Sequence, residues 1–523
     1  MSQRDADVLV VGAGIGGLAS AARLSAAGLS VTVLERQAQP GGKMRTLPSP
    51  AGPVDTGPTV LTMKPVFEAL FAALGTRLED HVELIKQPLI ARHFWPDGNT
   101  LDLFDNEARS CAAIATFSGA KSVDQFRSFC ARARQLYTGF DQPIMKAPEP
   151  KRGTLAAHVM ARPALARAMA PGSTLAQLCS RSFDDPRLAQ LFGRYATYVG
   201  GSPYNVPALL SLIWHAECTG VWVPRGGMSA LAQALADCAK CHGVCFEYNA
   251  EVADIDVSAG HVRGVRLADG REIRADRIVF NGDPRALATG LLGKAAREAA
   301  PQTARLPRAL SAEVWAFAAE VTGPELAHHN VFFRSDPEPE FRALSEGRLV
   351  ADPTLYICAM DRGLPEPVAG LERLEIIANA PPLNLKPHQE ETRECHQRTF
   401  RTLQSNGLGF SPEPGPEALT TPQQWETLFP GSCGSLYGQS PHGTMAAFQR
   451  PVARTKVKGL YLAGGGVHPG AGVPMATLSG QHAAEAILRD RTSTSRSRPM
   501  AMPGGMSTAS ATTVGGRSRS SPS

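Results

Sequence analysis

Asp7-Val-Leu-Val-Val-Gly12-Ala-Gly14-Ile-Gly-Gly17-Leu-Ala-Ser-Ala-Ala-Arg-Leu-Ser-Ala-Ala-Gly28, continuing to Val31-Thr-Val-Leu34-Glu35, decides the fold. An apolar run ends in G-x-G-x-x-G. Strong helix formers follow and stop at a glycine, and a second apolar run ends in an acid. Strand, glycine turn, helix, strand and acid is the order of a dinucleotide-binding βαβ unit. Gly12 permits the sharp turn, Gly14 leaves space for a pyrophosphate, and Gly17 lets the helix lie close to the strand. The helix N-terminus offers free N–H groups and a positive dipole end. Glu35 stands 21 residues after Gly14, where an acid accepts bonds from ribose hydroxyls, and Arg36 follows it. A glycine pattern alone is weak evidence; here every neighbouring element is in register. A signal peptide or membrane anchor is excluded by Arg23 within the run and by Asp5 and Asp7 ahead of it.

Two further glycine-bearing loops follow directly, Pro40-Gly41-Gly42-Lys43-Met-Arg45 and Gly52-Pro-Val-Asp55-Thr-Gly57-Pro58-Thr59. Their amides suit an anionic or carbonyl-rich ligand, and Lys43 and Arg45 suit phosphate or a reduced ring's charge. A third loop closes the chain, Gly459-Leu-Tyr-Leu-Ala-Gly464-Gly465-Gly466-Val-His468-Pro-Gly-Ala-Gly-Val473-Pro-Met475. A strand runs into glycines, and a helix begins near Pro474, where proline is welcome in the first turn.

The chain of 523 residues is too long for one ordinary core, and two domains are expected. The fold class expected is α/β (α+β), a Rossmann-like unit with an inserted second domain. Residues 1–75, 241–300 and 450–490 are assigned to the dinucleotide unit, 76–240 and 301–449 to the substrate unit, and 491–523 to a disordered tail rich in Ser, Thr, Gly and Arg. The net charge of +5 resides largely in that tail, so the body has no electrostatic footprint for nucleic acid. Cys238-Ala-Lys-Cys241-His242 spells a haem attachment site. Its alternative is the end of an alanine-rich helix stopped by Gly243, and no export signal accompanies it, so no metal or haem is expected. Residues 155–170 are apolar, basic and free of acids; they suit either a membrane surface or a core helix. Strands are expected at Ala312–Val321, Leu355–Met360 and Leu374–Ala380.

The N-terminal unit with Glu35, the Gly41-Gly42 loop, the Asp55-Thr-Gly-Pro-Thr59 loop and the closing G-x-x-H-P-G-A-G loop together resemble one family. It is the FAD-dependent carotenoid desaturases of the bacterial phytoene desaturase type, within the wider amine-oxidase-like flavoproteins. Leu436-Tyr-Gly-Gln-Ser-Pro-His-Gly443 through Arg450-Pro451, followed by Val467-His-Pro-Gly-Ala-Gly-Val-Pro-Met475, resembles the 1-hydroxycarotenoid 3,4-desaturases of purple phototrophs. The resemblance implies FAD, held by Gly12, Gly14, Gly17, Glu35, Arg36, Gly42, Lys43, Gly57, Pro58, Thr59, Gly464, Gly465, Gly466, Val473 and Met475. Where wider relatives carry an acid after Ala-Gly, this chain has Gly465. The resemblance also implies an acyclic carotenoid as substrate, oxygen or a quinone as terminal electron acceptor, and a peripheral place on the cytoplasmic face of the inner, photosynthetic membrane.

On that reading the flavin accepts a hydride from an allylic carbon and a proton leaves the neighbouring carbon. Such chemistry needs an oxidant, orientation and exclusion of water more than a strong base. His468 is the ionisable group expected near the ring, with loop fixing as its alternative role. A terminal hydroxyl on the substrate needs a buried polar partner, expected among Gln439, Ser440 and His442. The competing readings are a phytoene desaturase, a flavin amine oxidase with an aromatic cage, a non-enzymatic isoprenoid carrier and a plain NAD dehydrogenase.

Overall fold

A computed structural model of the protein describes residues 6–366, 368, 370–383 and 392–496. Val8–Val11, Ile15–Ala26 and Val31–Leu34 form the strand, helix and strand read from the sequence. Both strands belong to a five-stranded parallel sheet. Its order across the sheet is Leu460–Leu462, Ile278–Phe280, Val8–Val11, Val31–Leu34, Cys245–Glu247. Strands from three distant parts of the chain are therefore neighbours. Because all run parallel, their carboxyl ends share one edge, where an open α/β sheet binds its ligands.

The helix Met228–Cys241 covers the sheet beside Ile15–Ala26, and its Cys238 packs in the same core as Leu18, Leu24 and Val33. His242 and Gly243 end that helix, so the C-x-x-C-H spelling is a helix terminus. The closing helix, Val473–Arg496, crosses Ile15–Ala26 where Gly480 meets Gly16. A Cβ on Gly480 would overlap the Gly16 carbonyl. It extends six residues into the stretch expected to be a tail, since Ile487, Ala484 and Ala483 anchor its preceding turns in the core. The rest of that stretch, 497–523, lies outside the described residues.

The second layer is an eight-stranded mixed sheet. Its main path runs Gly409–Ser411, Ser311–Thr322, Glu372–Ala380, Leu355–Ala359, His329–Phe332, Leu89–Phe94, Thr100–Phe104, with Leu419–Thr420 beside Ser311–Thr322. All its pairings are antiparallel except that of His329–Phe332 with Leu89–Phe94. Side chains alternate between faces along each strand. One face presents Trp315, Phe317, Leu355, Ile357, Leu374 and Ile376 to the helix Thr392–Ser405, through Phe400 and Leu403. Register places His329 opposite Cys358, Cys358 opposite Glu375, and Val331 opposite Tyr356. His329, Tyr356, Cys358 and Glu375 therefore share the other face. That face looks toward helices between Glu107 and Cys218, whose Phe126, Phe129, Phe192 and Trp214 form an aromatic core of mostly tilted and edge-on ring contacts.

The expected stretch 155–170 is two helices, Arg152–Met160 and Pro163–Ala168. The first has no buried residue, and its Met160 is 81% exposed; the second buries Leu165 and Ala168. Among the described residues no helix is long and apolar enough to cross a membrane.

The Gly16–Gly480 contact yields a test. Gly480→Val forces two backbones apart in a packed core, and overpacking of this kind costs roughly 1–3 kcal/mol. A lowered midpoint in thermal or urea unfolding is expected. Gly443→Ala, where an added Cβ meets nothing within 4 Å, serves as the milder comparison, with only its positive φ of 86° to strain it.

Candidate functional site

Three loops meet at the carboxyl edge of the parallel sheet. Gly41 bridges to Gly14, and its N–H donates to the Ala13 carbonyl at 2.9 Å. The Gly464 N–H donates to Ser479 Oγ at 2.7 Å. Gly12 has φ +99°, a conformation that glycine adopts without strain. A Cβ on Gly17 would overlap the Gly12 carbonyl, as close helix–strand packing predicts. Asn281 fills the centre: Nδ2 donates to the Gly12 carbonyl at 3.3 Å, while Oδ1 is buried with no partner among the described residues. A Cβ at Gly14 would come 2.8 Å from Asn281 Nδ2, so Gly14 answers to a protein side chain as well as to ligand space.

Glu35 ends its strand buried. Its Oε2 accepts the Ala13 N–H at 2.6 Å and its Oε1 accepts the Gln37 N–H at 2.8 Å. Burial raises its carboxyl above the usual range against the pull of those amides. Each oxygen keeps a further lone pair, which suits a ribose diol. Arg36 points elsewhere, to Glu251 at 3.3 Å and the Thr427 carbonyl at 3.2 Å.

Lys43 is the centre of an unexpected cluster. Its Nζ donates to the Leu436 carbonyl at 2.6 Å and lies 5.5 Å from the Phe429 ring centre. Burial lowers it to about 8; Asp283 pulls it upward, and Arg308 and Arg450 push it further down. Arg308 pairs with Asp283 and donates to the Ser432 carbonyl at 3.0 Å. Arg450 donates to the carbonyls of Gly465, Tyr437 and Gln439 at 2.7, 3.0 and 3.1 Å, and burial lowers it to about 10. Three cations thus surround one acid. The excess positive charge faces the glycine loops and matches an anion such as pyrophosphate or a reduced flavin ring. Gly465, where wider relatives carry an acid, is tied through its carbonyl to Arg450.

The residues suit flavin adenine dinucleotide. The glycine turn, the ribose acid, the orphaned Asn281 oxygen and the cation excess each answer a part of that molecule. When bound, FAD supplies a two-electron acceptor.

Above the Gly57-Pro58-Thr59 loop opens a cavity of about 800 Å³. Its wall includes Val60, Arg194, Tyr198, Tyr356, Tyr437 and Val473. Arg194 lies 5.5 Å from the Tyr356 ring centre and 5.7 Å from that of Tyr198. Beneath the loop, Glu375 Oε1 accepts the Gly57 N–H at 2.6 Å. Burial, then Asp55, holds that carboxyl well above its usual range, against the pull of the Gly57 N–H. Asp55 is itself raised to about 6 by burial and accepts the Met228 and Ser229 N–H groups.

Other expected residues lie away from the cavity. His468 Nε2 makes a 2.8 Å bond with the Ala147 carbonyl, its ring stacks on His482, and burial lowers its pKa. It is absent from the cavity wall. Gln439, Ser440 and His442 are absent from the cavity wall. Gln439 Nε2 donates to the Ala446 carbonyl at 3.3 Å, Ser440 N–H donates to the Pro307 carbonyl at 2.8 Å, and His442 Nε2 accepts the Ser202 N–H at 3.0 Å. Tyr437, two residues before Gln439, is in the wall. Sequence reading missed Asn281, Arg308, Arg194, Tyr356 and Glu375. Glu375 had a signal: a lone acid inside the apolar run Leu374–Ala380.

The chain belongs to the flavin containing amine oxidoreductase family, whose pattern matches residues 15–488. It is 53% identical to the hydroxyneurosporene desaturase of Cereibacter sphaeroides, over 94% of this chain and 99% of that protein. Identity to the hydroxyneurosporene desaturase of Rhodobacter capsulatus is 52%, over 94% and 99%. The lycopene-forming phytoene desaturase of Pseudescherichia vulneris is 31% identical over 92% and 99%. Among solved structures, a redesigned putrescine oxidase superposes with a TM-score of 0.59 at 15% identity, covering 93% of this chain and 99% of that one. Cyclohexylamine oxidase from Brevibacterium oxydans gives 0.55 at 17%, covering 93% and 100%. These two share the fold. The cofactor of this family is a flavin, and FAD is the one the site fits.

An anion bound among Lys43, Arg308 and Arg450 must raise Lys43 above its free value of about 8. Binding then takes up a proton at higher pH. FAD affinity should therefore weaken as pH rises past about 8, by up to about tenfold per unit until the raised value is reached. Flavin fluorescence titration at pH 7 and 9 measures this, and Lys43→Gln should bind more weakly at pH 7 with the pH dependence flattened.

Proposed function

We propose that the chain is an FAD-dependent desaturase that introduces the C-3,4 double bond into an acyclic 1-hydroxycarotenoid such as 1-hydroxyneurosporene. The observation that carries this is full-length similarity, at 52–53% identity, to two proteins named for that substrate, against 31% for a phytoene desaturase. The large cavity beside the Gly57-Pro58-Thr59 loop supports it. Apolar groups such as Val60, Phe333, Phe341, Ile377 and Val473 offer a polyene its environment. The polar groups open to a terminal hydroxyl are those of the wall, Arg194, Tyr198, Tyr204 and Asn379 among them, rather than Gln439, Ser440 and His442. The parallel-sheet unit holds the flavin and the mixed-sheet unit the substrate.

An amine oxidase would also use tyrosines beside the ring. Arg194 stands over Tyr198 and Tyr356, where a substrate ammonium would otherwise gain its cation–π contact, and repels such a substrate. The electrons pass on to oxygen or a quinone. The protein works on the cytoplasmic side of the membrane that stores its substrate. The exposed helix Arg152–Met160, flanked by Lys151 and Arg162, supports a peripheral attachment.

With FAD present, 1-hydroxyneurosporene should be converted faster than neurosporene or phytoene, read as the red shift of the polyene spectrum. Equal or better turnover of phytoene would make the protein a phytoene desaturase. In flotation with anionic vesicles the protein should rise with the lipid, and Met160→Glu should reduce the floated fraction; an unchanged fraction would place the contact elsewhere.

A further inference from the structure

Desaturation removes a hydride from one carbon and a proton from its neighbour. The flavin accepts the first; the residues described so far leave the second without an acceptor. His468 is spent on the Ala147 carbonyl. Glu375 is buried beneath the Gly57 loop, outside the cavity wall, and its Oε1 is taken by the Gly57 N–H at 2.6 Å. Asp184 and Asp336 line the cavity, but Asp184 pairs with Lys121 at 2.5 Å and Asp336 caps Glu338 at 3.0 Å.

One hydrogen-bonded line does start at the cavity. Thr59 Oγ1 lies 2.7 Å from Tyr356 Oη, and Tyr356 Oη lies 2.7 Å from His329 Nδ1. Thr59 and Tyr356 are in the wall. His329 is behind them, 2% exposed, with Nε2 meeting no partner among the described residues. The sheet builds the line: His329 is opposite Cys358, so Tyr356 is its diagonal neighbour on the same face. Thr59 belongs to a loop expected to hold FAD, and the cavity it lines is also walled by Val473 and Pro474 of the closing loop, so the line begins in the volume proposed for the polyene.

We infer that Tyr356 is the catalytic proton acceptor of the desaturation, with His329 and Thr59 as the positioning residues that let it act; the inference rests on the reading under Proposed function. In the 3,4 desaturation C-4 is allylic and loses the hydride to the flavin, the oxidant. At C-3 the C–H bond breaks and its electron pair becomes the second bond between C-3 and C-4. The proton bonds to Tyr356 Oη as the tyrosine's own proton passes to His329 Nδ1. Thr59 donates to the other lone pair of Oη and keeps the ring aimed. When the electrons leave for a quinone or oxygen, which takes up two protons with them, the proton returns along the same line. The groups facing His329 are His328, with ring centres 4.5 Å apart, the Cys358 thiol and Arg194. Burial first, then His328 and Arg194, depress its pKa, and Nδ1 is the ring nitrogen that meets Tyr356 Oη. A weak base suffices, because a carbon that has lost a hydride is strongly acidic at the neighbouring C–H.

The test uses the full chain loaded with FAD, in lipid vesicles, with 1-hydroxyneurosporene carrying deuterium at C-3 or at C-4. Tyr356→Phe should lower kcat by about 100-fold, the lower end for general base catalysis, with KM nearly unchanged. Its isotope effect should grow at C-3 and not at C-4. His329→Asn keeps an acceptor oxygen near the Nδ1 position but cannot take a proton, and it should share that signature while retaining flavin and wild-type unfolding behaviour. Wild-type kcat in either variant, or an isotope effect unchanged at C-3, overturns the inference. Independently of turnover, ¹⁵N NMR of histidine-labelled protein should show bare Nδ1 and protonated Nε2 for His329, assigned by the signal lost in His329→Asn. A proton on Nδ1 at rest would overturn it as well. Should wild type convert phytoene and not the hydroxylated substrate, the substrate reading fails instead; deuterated phytoene then decides the role of Tyr356 by the same comparison.

Discussion

Gly16 and Gly480 hold two helices in backbone contact, and the site depends on that contact. One belongs to the first thirty residues and the other to the last described helix. With no side chain between them, the Gly464 loop at the head of the closing helix reaches the glycine turn at the head of the first. Both helix N-termini then face one volume, and their dipoles add to the charge of Lys43, Arg308 and Arg450. Any Cβ at the crossing would push these loops apart and loosen the anion site before touching a ligand group.

The mixed sheet does for the large cavity what the glycine crossing does for the anion site. Its aromatic and aliphatic face is sealed by the helix Thr392–Ser405, which leaves the opposite face free to carry polar groups. Strand pairing fixes the spacing of those groups to within a register step. A slip of one residue would bury His329, Tyr356 and Glu375 under the sealing helix and put Ile357 and Ile376 at the cavity. The same apolar packing that stabilises the layer therefore fixes which chemistry faces the cavity.

The local parts of this arrangement were legible in the sequence. The βαβ unit, Glu35, the two loops after it and the closing glycine loop follow from patterns within a few tens of residues, and each glycine's steric duty could be argued beforehand. The family resemblance followed from the same stretches. What stayed hidden was assembled by tertiary contact. Arg308 and Arg450 are far from Lys43 in the chain, and nothing in their neighbours announces a shared volume. Tyr356 and His329 stand on adjacent strands whose pairing no local pattern gives. The choice of Gln439, Ser440 and His442 followed polarity near the closing loop. The structure ties Gln439 Nε2 to the Ala446 carbonyl and His442 Nε2 to the Ser202 N–H, and leaves all three residues out of the cavity wall. Tyr437, an amphipathic ring, reaches the cavity in their place.

Lys43, Arg308 and Arg450 are buried against a single carboxylate, an arrangement that opposes folding when no anion shares the volume. A ligand that binds the native chain and not the unfolded one stabilises it in proportion to the logarithm of its concentration over Kd. FAD is therefore a folding partner for this chain as well as its oxidant. By the same linkage the native chain gains stability as flavin concentration rises, and a chain left without its anion is the more exposed to proteolysis.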